Sequence, residues 1–441
     1  MSMDGPRLLL VLTEAPPSVG GMQTHARHLA SHLARTSAAI EVLTYRVADP
    51  ALAAQAQAFD AECGYPVRRI LSRLGYWHNI ALILQRIREF APDAVYASTV
   101  FYGLLRTRTA VPLLCRSVGN DILRPWLGYP YPLCSRAIGS QAVQRGLRWW
   151  LEHGQHPDWV DRVFRRAREQ LMRDAAAGHC GILANSEFTA GLLMGIGIAR
   201  ERIDVVSGGV DSRRFAPSPG GRESSRAALG LAPDDVVLLT VCRLVTKKGV
   251  EVLLDALTLL QSAFPRLKLI VVGDGRRRKT YEARAKALGL EGMVRFAGRV
   301  PHDDVPPYFW ASDLFVLASY ESRHAGGAVR DVETMGRVLC EANAAGLPLV
   351  ATASGGTPSV VRDGVNGVLV PPADAGALAD AIARVLHTPA LAAQLANAGR
   401  ARARDEFDWS AVMARHEDAI ARALRLPTLA VPAALAQSSR A

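Results

Sequence analysis

Two carboxylates, Glu333 and Glu341, stand with seven residues between them. Gly336 interrupts the interval, and Gly346-Leu347-Pro348 closes the segment. Residues 337–345 read as a short helix, with Gly346 as its stop and a proline just beyond. Glu333 then lies in the loop entering the helix, and Glu341 lies inside it. A helix N-terminus exposes unpaired backbone N–H groups and carries partial positive charge, so it can receive an anion. Carboxylates beside such a site can accept hydrogen bonds from sugar hydroxyls. The pair also fits a plainer arrangement, charge complementarity at the helix start plus an exposed helix glutamate. Spacing alone does not choose, because short motifs recur by chance.

A basic pair precedes them. Arg243 follows the apolar run 236–242, and Lys248 stands five residues on, in the turn Thr246-Lys247-Lys248-Gly249. Arginine can grip two oxygens and lysine supplies a point charge, so the two together could clamp a diphosphate. Either residue alone reads equally as a solvated cation. A phosphate clamp needs a partner site, and Glu333 and Glu341, on a neighbouring strand–helix unit, offer one for a sugar and a ribose.

The first half carries weaker candidates. Gly20-Gly21 lies between an apolar run at 7–13 and a helical pattern at 22–35. Strand, glycine turn and helix can present backbone N–H groups to an anion, or can simply make a tight turn. His25, His28 and His32 share one helical face, but no carboxylate or further histidine completes a metal set. Gly119-Asn120-Asp121 ends another strand-like run, where residues of parallel-sheet sites usually sit.

The elements that must position these residues follow from the apolar rhythm. Strand-like runs recur at 39–44, 94–98, 112–118, 181–184 and 203–207, with helical patterns between several of them. The rhythm restarts at 236 and continues through runs at 267–272, 294–297, 314–318, 349–353 and 368–370. Apolar strands alternating with helices imply an α/β fold of two doubly wound, mostly parallel sheets, with ligands expected in the cleft between them. The expected domains are 1–216 and 226–408, with Pro217-Ser218-Pro219-Gly220-Gly221 inside a linker at 217–225. A helix at 409–424 closes the chain before a loose Ala/Pro/Ser-rich tail at 427–441. Residues 123–179 break the rhythm. They hold Trp126, Trp149 and Trp150 and a basic amphipathic helix, which suits either an anionic membrane surface or packing on its own domain.

Composition narrows the classes. The chain has 441 residues, 49% of them hydrophobic, enough for real cores, and no apolar run long enough to span a bilayer. The N-terminus has no cleavage-site pattern, and the six cysteines are scattered without a Cys-x-x-Cys pair. Both features fit a reducing cytoplasm. The net charge of +11 favours anionic partners. No helix-turn-helix, RNP or zinc-finger pattern points to nucleic acid.

Taken in order, the motifs resemble family 4 glycosyltransferases of the GT-B fold, with two Rossmann-like domains. Gly20-Gly21, Asn185-Ser186, Gly209-Val210-Asp211, Arg243 to Lys248-Gly249, Gly273-Asp274-Gly275, Gly298-Arg299-Val300 and Glu333 to Glu341 carry the resemblance, which spans nearly the whole chain. The stretch from Asp331 to Glu341 looks most like the phosphatidylinositol mannosyltransferase-like branch. The resemblance implies retaining transfer of a hexose from a nucleotide-sugar to a lipid-linked or glycan acceptor, without a tightly bound metal or cofactor. GDP-mannose is slightly favoured over a UDP-sugar. Arg243 and Lys248 would stabilise the diphosphate and Glu341 would bind the ribose. Glu333 would face the sugar, and Thr334, Met335 and Gly336 would meet sugar or phosphate through their backbone. Gly298 and Val300 would complete the donor site, with Gly20 and Gly21 approaching the diphosphate from the first domain. The helix 409–424 would cross back onto that domain. Cytoplasmic location follows, with peripheral attachment to the membrane's inner face as an open alternative. Two departures stand out. Relatives carry a histidine where this chain has Gly119-Asn120-Asp121, leaving Asn120 or Asp121 to hold the sugar. Thr334-Met335 also replaces a common Gly-Phe. A nucleotide-sugar 2-epimerase of similar fold would need an acid/base set that is not evident. A non-catalytic binding protein would not require all four charged residues.

Overall fold

The computed structural model describes residues 5–17, 20–47, 49–73, 76–123, 180–323 and 329–425, with isolated positions between 146 and 166. Most of the Trp-rich, arginine-rich stretch at 123–179 and the tail 427–441 lie outside the described residues. The chain divides into two compact units, residues 1–206 with 413–441, and residues 207–412. The division thus falls after Val206, ten residues before the boundary read from the sequence, and the chain returns to the first unit at Met413 rather than at Trp409.

The first unit holds seven strands: β1 (Arg7–Val11), β2 (Ala39–Tyr45), β3 (Val67–Leu71), β4 (Ala94–Ala97), β5 (Leu113–Ser117), β6 (Gly181–Ala184) and β7 (Ile203–Val205). They pair in the order β3-β2-β1-β4-β5-β6-β7, and every pairing is parallel. The central strands are buried on both faces, which is why they stand out as unbroken apolar runs. Edge strand β3 reads Val-Arg-Arg-Ile-Leu and is only partly buried, so it gave no such run.

The second unit holds β8 (Val236–Val241), β9 (Leu267–Val272), β10 (Val294–Gly298), β11 (Leu314–Leu317), β12 (Ser322–Arg323), β13 (Val329–Asp331), β14 (Leu349–Thr352) and β15 (Val368–Val370). Six form a sheet in the order β10-β9-β8-β11-β14-β15, again all parallel. Alternation along β8 feeds two cores. Leu238 joins one with Leu254 and Leu257, while Val237 and Leu239 join the other with Phe309, Phe315 and Leu339. β12 and β13 form a small antiparallel pair inside a stretch that reads as a polar loop.

The helix Gly221–Ala228 overlaps the residues read as a linker. Gly220 is left-handed, φ 69°, and turns the chain directly into this helix. Arg226 is buried and donates to the carbonyls of Ala311 and Ala232, both at 3.0 Å, so the segment is fixed to its unit. The Pro/Gly cluster marks a turn here, not a flexible connector.

Candidate active site

Because the six strands of the second sheet are parallel, the segments after β8, β9, β11 and β14, and Gly298 at the end of β10, emerge at one edge. This carboxyl edge is where α/β sheets gather their ligands. Arg243, Lys248, Gly273, Gly298, Ser319 and the loop leading to Glu333 therefore belong to a single rim. The helix Arg337–Ala345 has the bounds read from its sequence, and Gly346 ends it in the left-handed region at φ 72°.

Lys248 closes the short turn Thr246–Lys248 and is followed by Gly249 at φ 62°. A Cβ on Gly249 would lie 1.9 Å from the Ala318 carbonyl oxygen, so only glycine lets this turn lie against the end of β11. The Lys248 ammonium ion-pairs with Glu333 Oε2. Glu333 Oε1 accepts from the Gly336 N–H at 3.2 Å, the first left-handed residue before the helix. Burial alone would raise the Glu333 carboxyl. The ammonium groups of Lys248 and Lys247 and these hydrogen bonds overcome it and hold the carboxyl down to about 2. Burial lowers the Lys248 ammonium, but Glu333 reverses the sign and its pKa lies above the ordinary lysine value. The pair is thus fully ionised over the physiological range. Arg243 is exposed, and it has no ion pair among the described residues.

Glu341 is buried, at 6% exposure, within the helix. Its Oε1 lies 3.2 Å from His302 Nε2 and 3.7 Å from Arg337 Nε. The exposed-glutamate reading of this residue does not hold. His302 was not singled out in the sequence, because it follows the Gly298-Arg299-Val300 turn by two residues and belongs to no spacing motif. Met335 is buried, and its sulfur lies 3.1 Å from the Gly208 N–H. The backbone from 333 to 335 is braced by the loop after β14. Gly356 N–H donates to the Glu333 carbonyl at 2.7 Å, and a Cβ on Gly356 would lie 1.9 Å from the Thr334 carbonyl oxygen. That Ser-Gly-Gly-Thr loop is visible in the sequence, but its supporting role is not. Gly298 is left-handed at φ 76°, and Val300 packs against the second unit's core.

The remaining sequence candidates lie in the first unit. Gly20 and Gly21 begin the helix Gly21–Thr36 after β1. Asp121 accepts from Ser117 Oγ at 2.7 Å, and Asn120 Oδ1 is buried without a hydrogen bond. Of the three histidines, His32 Nε2 pairs with Glu417 at 3.1 Å and His25 lies against the His416 ring at 4.9 Å. Among the described residues no group of three or more His, Cys, Asp or Glu side chains could hold a metal ion.

Two Rossmann-like units, the second with its charges gathered at one sheet edge, define a GT-B glycosyltransferase that uses a nucleotide-sugar. Solved structures agree on the fold. Anabaena HepE in complex with UDP superposes with a TM-score of 0.71 over 95% of this chain and 100% of its own, at 23% identity. Sucrose-phosphate synthase from Thermosynechococcus elongatus gives 0.68 over 95% and 98%, at 20% identity. Residues 19–214 match the model of Glycosyltransferase Family 4, and residues 221–402 that of Glycosyl transferases group 1. A GDP-mannose-dependent alpha-(1-6)-phosphatidylinositol monomannoside mannosyltransferase from Mycolicibacterium smegmatis is 30% identical over 92% of this chain and 96% of its own. A GDP-mannose-dependent mannosyltransferase acting on the monoacylated monomannoside, from Corynebacterium glutamicum, is 26% identical over 93% and 96%. The chain belongs to the family 4 glycosyltransferases and is a hexosyltransferase. The epimerase and scaffold alternatives fall with that assignment.

Proposed function

We propose that this enzyme transfers mannose from GDP-mannose, with retention of configuration, to a lipid-linked acceptor of the phosphatidylinositol mannoside type. The observation that carries the donor half is the ionised Lys248–Glu333 pair beside exposed Arg243 at one sheet edge. Breaking the sugar–phosphate bond places growing negative charge on the diphosphate. Fixed cations at Arg243 and Lys248 stabilise that charge more in the transition state than in the ground state. Glu333 faces the sugar and Glu341, held by His302, anchors the ribose. Thr334, Met335 and Gly336 offer backbone to the sugar or phosphate, and Gly298 and Val300 complete the donor site. Roles for Gly20, Gly21, Asn120 and Asp121 rest on the family resemblance alone. The choice of GDP-mannose and of the acceptor rests on likeness to the two relatives.

A panel of nucleotide-sugars, read by nucleotide release with the purified protein and a short-chain phosphatidylinositol mannoside, tests the donor. GDP release with GDP-mannose is expected, with an α-linked product by proton NMR. Faster release from a UDP-hexose, or a β-linked product, would refute the proposal.

A lipid acceptor calls for peripheral contact with an anionic bilayer, since no helix among the described residues is long and apolar enough to cross one. Trp149 and Trp159 are both more than half exposed, at 64% and 58%. Exposed tryptophans in a basic stretch suit a headgroup interface. Sedimentation with phosphatidylglycerol-containing vesicles should show binding that falls between low and high salt, and salt-independent or absent binding would exclude this attachment.

A further inference from the structure

Lys247 is a buried lysine with a role that the donor chemistry leaves open. It is 7% exposed, in the turn Thr246–Lys248. Burying an ammonium is costly unless it is paired and hydrogen-bonded, and an apolar side chain of the same length would pack there at lower cost. Lys247 spends its charge on the entry to the glutamate loop. Its Nζ donates to Asp331 Oδ1 at 2.8 Å and to the Val332 carbonyl at 2.8 Å. Its own carbonyl accepts from the Tyr320 N–H at 2.9 Å, which ties the turn to the segment after β11. Adjacent lysines thus hold three consecutive residues: Lys247 takes 331 and 332, and Lys248 takes 333. From the far side Gly356 fixes the Glu333 carbonyl. The backbone on both sides of Glu333 is therefore anchored, and only its side chain is left to meet Lys248.

We infer that Lys247 is a positioning residue of the donor site, fixing the Asp331 carboxylate and the Val332 carbonyl so that Glu333 stands against Lys248, without itself touching the donor. The inference rests on the proposed roles of Glu333 and Lys248. Against burial, which raises the Glu333 carboxyl, the Lys247 ammonium also helps keep it ionised, second to Lys248.

The test is steady-state transfer by Lys247→Met, Lys247→Arg and Asp331→Asn, beside Glu333→Gln as reference, with thermal melting of each. Lys247→Met keeps length and packing and removes the grip. Ångström-scale misplacement of a positioned group costs up to about 100-fold, so kcat/KM should fall by roughly 10- to 100-fold. Its acid limb should move to higher pH as Glu333 loses a neighbouring cation. Lys247→Arg should recover a large part of the loss, and Asp331→Asn, which keeps an acceptor, should sit between. Unchanged kcat/KM and acid limb in folded Lys247→Met, with only a lower melting temperature, would overturn the inference. Should Lys247→Met fail to fold, unchanged kinetics in Asp331→Asn would do the same. If Glu333→Gln is itself fully active, the donor-site reading fails. If Glu333→Gln is impaired while the Lys247 variants are not, only this inference fails.

Discussion

Arg243→Ala should lower kcat by about two to three orders of magnitude, the range seen when one fixed transition-state donor is removed. The melting temperature should barely move. Arg243 is exposed and has no ion pair among the described residues, so the folded protein loses no partner with it. Surface substitutions of this kind usually change stability by less than about 0.5 kcal/mol. The separation of the two readouts makes the variant informative. Steady-state transfer with saturating donor, beside a thermal melt, measures both. Turnover within a few-fold of the unaltered enzyme would remove Arg243 from the diphosphate clamp.

Lys248→Ala is expected to lose activity and stability together, for a reason the structure supplies. Glu333 would be left largely buried without its counter-charge, and breaking such a pair from one side costs about 3–5 kcal/mol. Activity alone would then be ambiguous. The double variant Lys248→Ala/Glu333→Gln removes the orphaned charge and should recover much of the melting temperature while kcat stays down. Recovery of transfer by the double variant would show that Lys248 acts only through the fold. The same pair predicts a pH effect. The Glu333 carboxyl is lowered in the folded state from 4.5 to about 2. Its contribution to stability is therefore present above about 4.5 and lost as pH falls toward 2, where the folded carboxyl also protonates. Glu333→Gln should be less stable at neutral pH and should lack that acid-side decline, as melts between these limits would record.

The rhythm of buried parallel strands was legible because each central strand is apolar on both faces. β9, β15 and the helix Arg337–Ala345 have the bounds their sequence suggests. The edge strand β3 and the β12–β13 hairpin were not legible, since partly exposed strands carry charge and break the apolar run. Among the site residues, the sequence offered charge and spacing but not partners. Spacing left Glu341 open between a ligand-facing and an exposed helix glutamate, and it is buried against His302. Lys247 drew no reading of its own beside Lys248, yet it is the more enclosed residue of the two by its ion-pair side chain, at 8% against 11% exposure. Such pairings join positions 39 and 84 residues apart, a distance over which local pattern carries no information.

Two of the glycines whose added Cβ would fall 1.9 Å from a carbonyl oxygen, Gly249 and Gly356, also bear on how this enzyme can change over generations. Each stands beside a residue or loop of the proposed donor site, Lys248 in one case and the segment 333–335 in the other. No one-codon change at either site yields a residue small enough to be accommodated without moving backbone. Between Glu333 and buried Met335, Thr334 is half-buried and already carries a side chain. If residues 333–335 meet the donor as proposed, descendants of this chain would change sugar through what the loop displays at Thr334, while the path of the loop stays locked.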